Sequence, residues 1–346
     1  MNSQQKIAVV GASGYSGEEL VRLLSRHPGV DLVALTSRQS AGQPLATVYP
    51  KFAGTKYANL AFIDSDPEAI TATGAQIAFL ALPHGVAKTF AGPLLEKGLR
   101  VIDLSADFRI KDATVYEEFY GEPHGAPALL RNSVYGSPEL YREEIKPARL
   151  IACPGCYPTS ILLPLVPLLR NGLLDTASIV VSSLSGVSGA GRTVTAVYLF
   201  AECNESMRAY GIPKHRHLAE IEQELSVAAG TRVTINFTPH LIPVTRGIHS
   251  TIYASPKPGV DPRRIGEILE AVYGNEPFVR LLTGAALPDT KNVTQTNFID
   301  IAWRHDPRTG RVILLSAEDN VVKGASGQAV QCMNIVCGWP EELGLL

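Results

Sequence analysis

A chain of 346 residues, 45% of them hydrophobic and 18% charged, with a net charge of −2, predicts a two-domain globular protein. The near-neutral charge argues against nucleic acid as a partner, and the longest apolar run, residues 161–169, is too short to span a membrane. Because no signal peptide precedes the first strand and the five cysteines are scattered, we expect a cytoplasmic protein with reduced thiols.

Up to about residue 155, short apolar strands alternate with amphipathic helices. Strands that are apolar throughout and separated by helices indicate a parallel sheet covered on both faces. Residues 1–155 are therefore predicted to form a Rossmann-type α/β domain. Its predicted strands are 6–12, 31–36, 76–82 and 100–104, and its predicted helices are 18–27 and 84–97.

Beyond residue 156 the strands become longer, several alternate, and fewer helices separate them. This pattern favours a largely antiparallel sheet and an α+β domain over residues 156–319. The last segment, about 320–346, is helical in pattern and is expected to pack with the first domain. The predicted strands are 178–183, 232–237, 248–254, 297–303 and 312–316.

A glycine-rich turn, Gly11-Ala-Ser-Gly-Tyr-Ser-Gly17, joins the first strand to the first helix. Glycines at this point allow a tight turn and a close approach of the backbone to a pyrophosphate, which then lies at the positive end of the helix. The spacing therefore predicts a dinucleotide site. Its predicted residues are Gly11, Ser13, Gly14, Tyr15, Ser16 and Gly17.

The end of the second strand distinguishes the two nicotinamide cofactors. NAD sites commonly place a carboxylate there to hold the ribose hydroxyls. Here the strand ends in Thr36-Ser-Arg38, and Asp31 begins the strand rather than ending it. Ser37 and Arg38 suit the 2′-phosphate of NADP, since a guanidinium offers a forked donor. We predict NADP(H).

A second motif, Cys153-Pro-Gly-Cys156, is open to three interpretations: a redox pair, half of a zinc site, or a nucleophile beside an inert neighbour. Zinc would need further ligands, and the spacing of His215 and His217 is not the usual one. A redox pair is expected near the N-terminus of a small fold. A helix predicted from about residue 157 places Cys156 at its positive end, which favours the thiolate. We therefore predict that Cys156 is the nucleophile and that Cys153 is buried and inert.

The chain from Ile151 to Ser160 closely resembles the active-site signature of the N-acetyl-γ-glutamyl-phosphate reductase family, in which the second cysteine is catalytic. Further blocks are similar to that family, so that the resemblance covers nearly the whole chain. These blocks are Gly11–Gly17, Asp103–Arg109, Ser185–Arg192, Lys214–His217, His240–Gly247 and Val322–Gln328.

The resemblance implies reduction of an acyl phosphate to a semialdehyde with NADPH in arginine biosynthesis, by an enzyme that forms homo-oligomers, either dimers or tetramers. It also implies the semialdehyde-dehydrogenase architecture. The alternatives are a reductase for aspartate semialdehyde, a lysine-pathway reductase for a carrier-linked acyl phosphate, and a non-catalytic NADP-binding regulator. No metal site is expected.

Histidine suits proton transfer at the operating pH, and His217 precedes a predicted helix. Glu220, three residues on, is expected to orient it, and His215 to contact substrate. The resemblance also assigns the acid–base role to the second histidine of His-Arg-His.

The remaining predicted residues fall in loops that resemble family blocks or near the last helix. Arg109, Arg192 and Arg246 are expected to bind the phosphate and the α-carboxylate of the substrate, because guanidinium groups match both. Ser105 adds a hydroxyl donor. Ser188, Gly189 and Asn320 are predicted to contact the cofactor.

Overall fold

The computed structural model describes residues 4–346, which divide into two compact units. The first unit runs to Pro154 and also contains Ala325–Leu346, and the second is Gly155–Gly324. No helix within residues 4–346 is both long and apolar enough to cross a membrane.

The first unit contains a seven-stranded sheet in the order β3-β2-β1-β4-β5-β7-β6, and all of its pairings are parallel. Its strands are buried because helices cover the sheet, as the apolar runs predict. The strands are β1 (Gln5–Val10), β2 (Val30–Thr36), β3 (Phe62–Ile63), β4 (Ile77–Leu80), β5 (Arg100–Asp103), β6 (Val134–Tyr135) and β7 (Leu150–Ala152). The helices are α1 (Tyr15–Leu24), α2 (Leu45–Val48), α3 (Pro67–Ala72), α4 (Ala87–Glu96), α5 (Ala113–Tyr120), α6 (Pro127–Asn132) and α7 (Pro138–Ile145).

The second unit contains a seven-stranded mixed sheet in the order β12-β13-β14-β11-β8-β10-β9. Two pairings are parallel, β8 with β10 and β12 with β13, and the others are antiparallel. Its strands are β8 (Val180–Ser185), β9 (Arg208–Ala209), β10 (Asn236–Leu241), β11 (Ile248–Ala254), β12 (Val279–Leu281), β13 (Ile299–Asp306) and β14 (Arg311–Glu318). Its helices are α8 (Cys156–Arg170), α9 (Phe200–Cys203), α10 (His217–Ala229) and α11 (Arg263–Tyr273). A π-helical turn, Val322–Ser326, leads into α12 (Gly327–Cys337).

The strand predicted at 232–237 is wrong in its bounds. The structure places β10 at Asn236–Leu241, where it pairs in parallel with β8. The buried alternation is that of Phe237, Pro239 and Leu241 rather than of the apolar residues before them. Proline is depleted in strands, so the sequence pattern stops short of the true one.

Helix α8 continues through two prolines, Pro164 and Pro167. Proline lacks the N–H that would reach the carbonyl four residues earlier, which leaves the carbonyls of Ser160 and Leu163 open. The Ser316 hydroxyl donates to the Ser160 carbonyl, and the Tyr273 hydroxyl donates to the Leu163 carbonyl, each at 2.6 Å. Hydroxyl groups from β14 and α11 therefore supply the hydrogen bonds that these two carbonyls lack because of the prolines.

Buried serines also connect α8 to the sheet. The Ser160 hydroxyl donates to the Tyr157 carbonyl at 2.9 Å and lies 2.8 Å from the Ser250 hydroxyl. The hydroxyls of Ser250 and Ser183 are 2.7 Å apart, and all three serines are fully buried. These contacts fix the first turns of α8 on β8 and β11.

Candidate active site

The glycine turn, residues 11–17, follows β1 and opens α1. A methyl group at Gly17 would lie 2.2 Å from the Gly11 carbonyl oxygen, and one at Gly11 would lie 2.4 Å from the Ala81 carbonyl oxygen. Gly11 also has a φ of +83°, which disfavours any side chain. The fold itself therefore requires glycine at both positions.

Gly14 differs from the other two glycines. Its φ of −79° suits any residue, and a methyl group there would meet its nearest neighbour, the Gly11 carbonyl oxygen, at an ordinary 3.7 Å. Nothing in the packing of this turn requires glycine at this position. A ligand that approaches the backbone closely at the start of α1 would require it, which fits a bound pyrophosphate.

The other predicted cofactor residues of the first unit lie against the same turn. The Ser37 hydroxyl donates to the Ser13 hydroxyl at 3.1 Å, and the Tyr49 hydroxyl donates to the Ser13 carbonyl at 3.0 Å. The Ser326 hydroxyl donates to the Ser16 carbonyl at 2.9 Å. Tyr15 and Arg38 are exposed. The predicted cofactor-binding residues of the first unit thus lie next to one another, and the cation among them, Arg38, is exposed to solvent.

Cys156 is the first residue of α8, as the sequence predicts, and its side chain is half-buried. Gly155 caps the helix, and its backbone N–H donates to the Glu220 carboxylate at 2.9 Å. Gly324, in the π-helical turn, packs directly on the cysteine, because a methyl group there would lie 2.8 Å from the Cys156 Cβ. The position of the nucleophile is therefore fixed from two sides.

Cys156 lines a pocket of about 190 Å³ within the second unit, called here the cysteine pocket. Its walls come from five parts of the chain. These are the start of α8, the end of β8 with the loop that follows it, the segment 197–210, the residues that lead into α10, and the end of β10. They consist of Cys156, Tyr157, Ser185, Gly186, Gly189, Ala190, Val197, Tyr198, Arg208, Tyr210, His215, Arg216, His217 and Leu241.

Aromatic rings pack edge to face around the two histidines of this pocket. The His215 ring lies 5.0 Å from the His217 ring and 5.6 Å from that of Tyr157, and the Tyr157 and Tyr210 hydroxyls are 2.8 Å apart. Burial raises the pKa of Tyr210 to about 12 and raises that of Tyr157 further. Both phenols therefore stay protonated, and one of the two hydroxyls donates to the other.

Of the three predicted catalytic residues, Cys156 and His217 line the cysteine pocket, and Glu220 is buried in the first turn of α10. The Glu220 carboxylate holds the backbone of Gly155, the residue before the nucleophile. The sequence predicts the His217 imidazole as the partner of Glu220. The hydrogen bond to the Gly155 backbone is a contact that the sequence does not suggest.

The predicted cofactor residues of the second unit form one cluster. The Asn320 side chain donates to the Ser188 hydroxyl at 2.9 Å and accepts from the Gly247 backbone N–H at 2.8 Å. Gly189 lies beside it and lines the cysteine pocket.

The predicted substrate residues are dispersed. Ser105 and Arg109 are buried in the first unit, where Ser105 bonds the Asp103 carboxylate and Arg109 bonds the carbonyls of Leu104 and Cys153. Burial and, after it, the neighbouring Asp107 charge raise the pKa of Asp103 to about 7.

The remaining predicted cations belong to the second unit. Arg246 pairs with the buried Asp319 at 3.4 Å, and Arg192 is exposed. Of the predicted substrate-binding residues, His215 alone lines the cysteine pocket.

Sequence reasoning missed Arg208, Arg216, Tyr157 and Tyr210, all of which line the cysteine pocket. Arg216 lies between two histidines that the sequence singles out, and Tyr157 follows the nucleophile, so local signals for both were present. Arg208 and Tyr210 lie in a segment without clear periodicity, which offers no such signal.

Cys153 is fully buried in the core of the first unit, and it and Cys156 are thiols rather than a disulfide. Within residues 4–346, no group of three or more His, Cys, Asp or Glu could hold a metal ion.

Comparison with known families defines the class of protein. Residues 6–148 match the family described as the semialdehyde dehydrogenase NAD binding domain, and residues 156–320 match the semialdehyde dehydrogenase dimerisation domain. The fold agrees with that of aspartate semialdehyde dehydrogenase II from Vibrio cholerae, at a TM-score of 0.73 and 19% identity over 97% of this chain and 99% of that one. Aspartate semialdehyde dehydrogenase with NADP from Candida albicans gives 0.73 at 17% identity, over 96% and 98%. The predicted fold class is confirmed.

Two curated relatives narrow the class. N-acetyl-gamma-glutamyl-phosphate reductase from Akkermansia muciniphila is 62% identical over 99% of this chain and 99% of its own. The protein of the same name from Syntrophobacter fumaroxidans is 50% identical over 98% and 97%. The chain belongs to the N-acetyl-gamma-glutamyl-phosphate reductase family of oxidoreductases, and the predicted family is confirmed.

Proposed function

We propose that the protein reduces N-acetyl-L-glutamyl 5-phosphate to N-acetyl-L-glutamate 5-semialdehyde with NADPH, releasing phosphate, as a step of arginine biosynthesis. The observation that carries the proposal is Cys156 at the start of α8, in a pocket shared with His217. The name common to the curated relatives supports this substrate over the aspartate, carrier-linked and regulatory alternatives.

The first half of the reaction is acyl transfer to sulfur. The His217 imidazole accepts the Cys156 thiol proton, and the thiolate attacks the acyl carbon. A C–S bond forms, the C–O bond to phosphate breaks, and the phosphate takes the proton from His217. The positive end of α8 stabilises the thiolate before the attack.

The second half is reduction of the resulting thioester. The residues from Gly11 to Gly17, with Ser37 and Arg38, would hold NADPH, which when bound would supply the hydride. The C–S bond then breaks, which returns the Cys156 thiolate and releases the aldehyde. Ser188, Gly189 and Asn320 are proposed to contact the nicotinamide half of the cofactor.

The substrate carries a phosphate and a carboxylate, so cations must receive it. Arg208 and Arg216, which line the cysteine pocket, join Arg109, Arg192 and Arg246 as candidates. The first two have the stronger support, because they line the same pocket as the candidate catalytic histidines.

The test runs the reaction in reverse. Purified protein with N-acetyl-glutamate semialdehyde, phosphate and NADP should produce NADPH, which is followed by its absorbance. Production that depends on phosphate supports the acyl phosphate as the forward substrate. Turnover of aspartate semialdehyde, without turnover of the acetylated compound, would contradict the proposal.

The choice of NADP over NAD rests on Arg38. Arg38→Ala should lower kcat/KM for NADPH about tenfold, because a charge-assisted bond to the 2′-phosphate is lost, and leave kcat/KM for NADH unchanged. Arg26→Ala, which removes another exposed guanidinium of the first unit, is the matched control. An equal loss of kcat/KM with NADPH and with NADH would show that Arg38 does not bind the 2′-phosphate.

The protein is further proposed to form a homodimer or homotetramer through residues 156–320. Large apolar side chains within residues 194–212 are exposed, among them Val194 at 84% and Phe200 at 80%, and a monomer rarely leaves such a patch open. Phe200→Ser should shift the mass measured by light scattering towards the monomer. Val227→Ser, which changes an exposed residue of α10, should not.

A further inference from the structure

The two histidines of the cysteine pocket are held differently. The backbone N–H of His217 donates to Nδ1 of His215 at 3.1 Å. A nitrogen that accepts a hydrogen bond carries its lone pair, so the ring proton of neutral His215 must be on Nε2. The backbone therefore selects the tautomer of His215.

The Nε2–H group of His215 has no acceptor among the residues that the structure describes. His215 lines the pocket that Cys156 lines, and throughout residues 4–346 no backbone or side-chain atom accepts a hydrogen bond from this nitrogen. The rings of Tyr157, Tyr210 and Phe237 pack edge to face around the imidazole at 5.5–5.6 Å between centroids. They hold the ring in place without using its donor.

His215 also keeps the neutral form. Burial lowers its pKa to about 4, and the positive charge of Arg216 acts in the same direction. The other titratable groups of the pocket are Cys156, Tyr157, Tyr198, Arg208, Tyr210 and His217. A group with this pKa is poorly matched to proton transfer near neutral pH, whereas it can donate a hydrogen bond throughout that range.

We propose that His215 is a catalytic residue, an uncharged N–H donor to the oxygen of the acyl carbonyl that Cys156 attacks. The inference rests on the proposed function and deepens it. When the C–S bond forms, the carbonyl electron pair moves to this oxygen, and a donor already held in the same pocket stabilises the charge without reorganisation. His217 then transfers the proton while His215 holds the oxygen.

Two variants separate this role from simple packing. His215→Leu removes the donor and should lower kcat by about 10²-fold, the loss typical of an oxyanion donor, with KM for the acyl phosphate nearly unchanged. His215→Gln places an amide N–H near the Nε2 position and should recover a large part of that loss. His305→Leu, on β13, is the matched control and should retain wild-type kinetics.

Two kinetic outcomes would overturn the proposal. A raised KM with unchanged kcat would assign His215 to a substrate group remote from the reacting carbon, such as the acetamido carbonyl. Equal losses in the Leu and Gln variants would show that the N–H donor has no part.

The tautomer is measured independently of turnover. In ¹⁵N-histidine-labelled protein, the His215 resonances, assigned by their loss in His215→Gln, should show a proton on Nε2 and no titration above about pH 5, because the neutral form prevails there. A proton on Nδ1, or an imidazolium at pH 7, would refute the inference. If the wild-type protein does not turn over the acetylated substrate, the proposed function fails, while this spectrum still decides the state of His215.

Discussion

The glycine turn and the cysteine pocket are built from different parts of the chain. In the turn, seven consecutive residues provide the site, and side chains at Gly17 and Gly11 would collide with the backbone carbonyl oxygens of Gly11 and of Ala81, respectively. In the pocket, side chains from segments between Cys156 and Leu241 determine it. A site of the first kind is encoded locally, whereas a site of the second kind depends on the whole domain fold.

The largest expected effect is at the nucleophile, which tests whether the cysteine pocket is the reacting site. Cys156→Ser should lower kcat by about 10³-fold or more, because a hydroxyl is a far weaker nucleophile than a thiolate. Cys153→Ala is the control, and it should still turn over because Cys153 is buried in the other unit. If the two variants exchanged these results, the wrong sulfur would have been assigned.

In the glycine turn, packing of the fold requires glycine at residue 17, whereas only a bound cofactor would require it at residue 14. Two alanine variants test these requirements separately. Gly17→Ala places a methyl group against a carbonyl and should lower the free energy of unfolding by about 1–3 kcal/mol. Gly14→Ala should leave the melting temperature unchanged and yet raise KM for NADPH about tenfold, because only the ligand needs that space.

Thermal unfolding and cofactor kinetics measure these two effects on the same proteins. A Gly14→Ala variant with unchanged KM would mean that the backbone at residue 14 does not approach the cofactor.

A smaller effect concerns the helix that carries the nucleophile. Tyr273→Phe and Ser316→Ala each leave a buried carbonyl of α8 without its donor, so each should destabilise the second unit by about 1–3 kcal/mol. Urea unfolding measures the change. Tyr253→Phe, on an exposed ring, should alter stability by much less.

If Tyr273→Phe proved as stable as that control, the Leu163 carbonyl would have to be satisfied in another way. Helix α8 would then depend less on the surrounding domain than its prolines imply.

Sequence predicted the parallel sheet, the glycine turn and the place of Cys156, because each depends on short-range pattern: apolar runs, glycine spacing and a helix start. It did not predict Arg208 or Tyr210, which reach the cysteine pocket only through tertiary folding of a segment without periodicity. The bounds of β10 failed because Pro239 interrupts the pattern. The roles of the individual arginines stay predictions.

The serines beneath α8 also have a fixed polarity. Each hydroxyl has one proton, and that of Ser160 goes to the Tyr157 carbonyl, so Ser250 must donate to Ser160 and Ser183 to Ser250. The three O–H dipoles thus point the same way, and each polarises the next. Their common end is the residue after Cys156, so the sheet presents an ordered electrostatic field to the first turn of the nucleophile's helix.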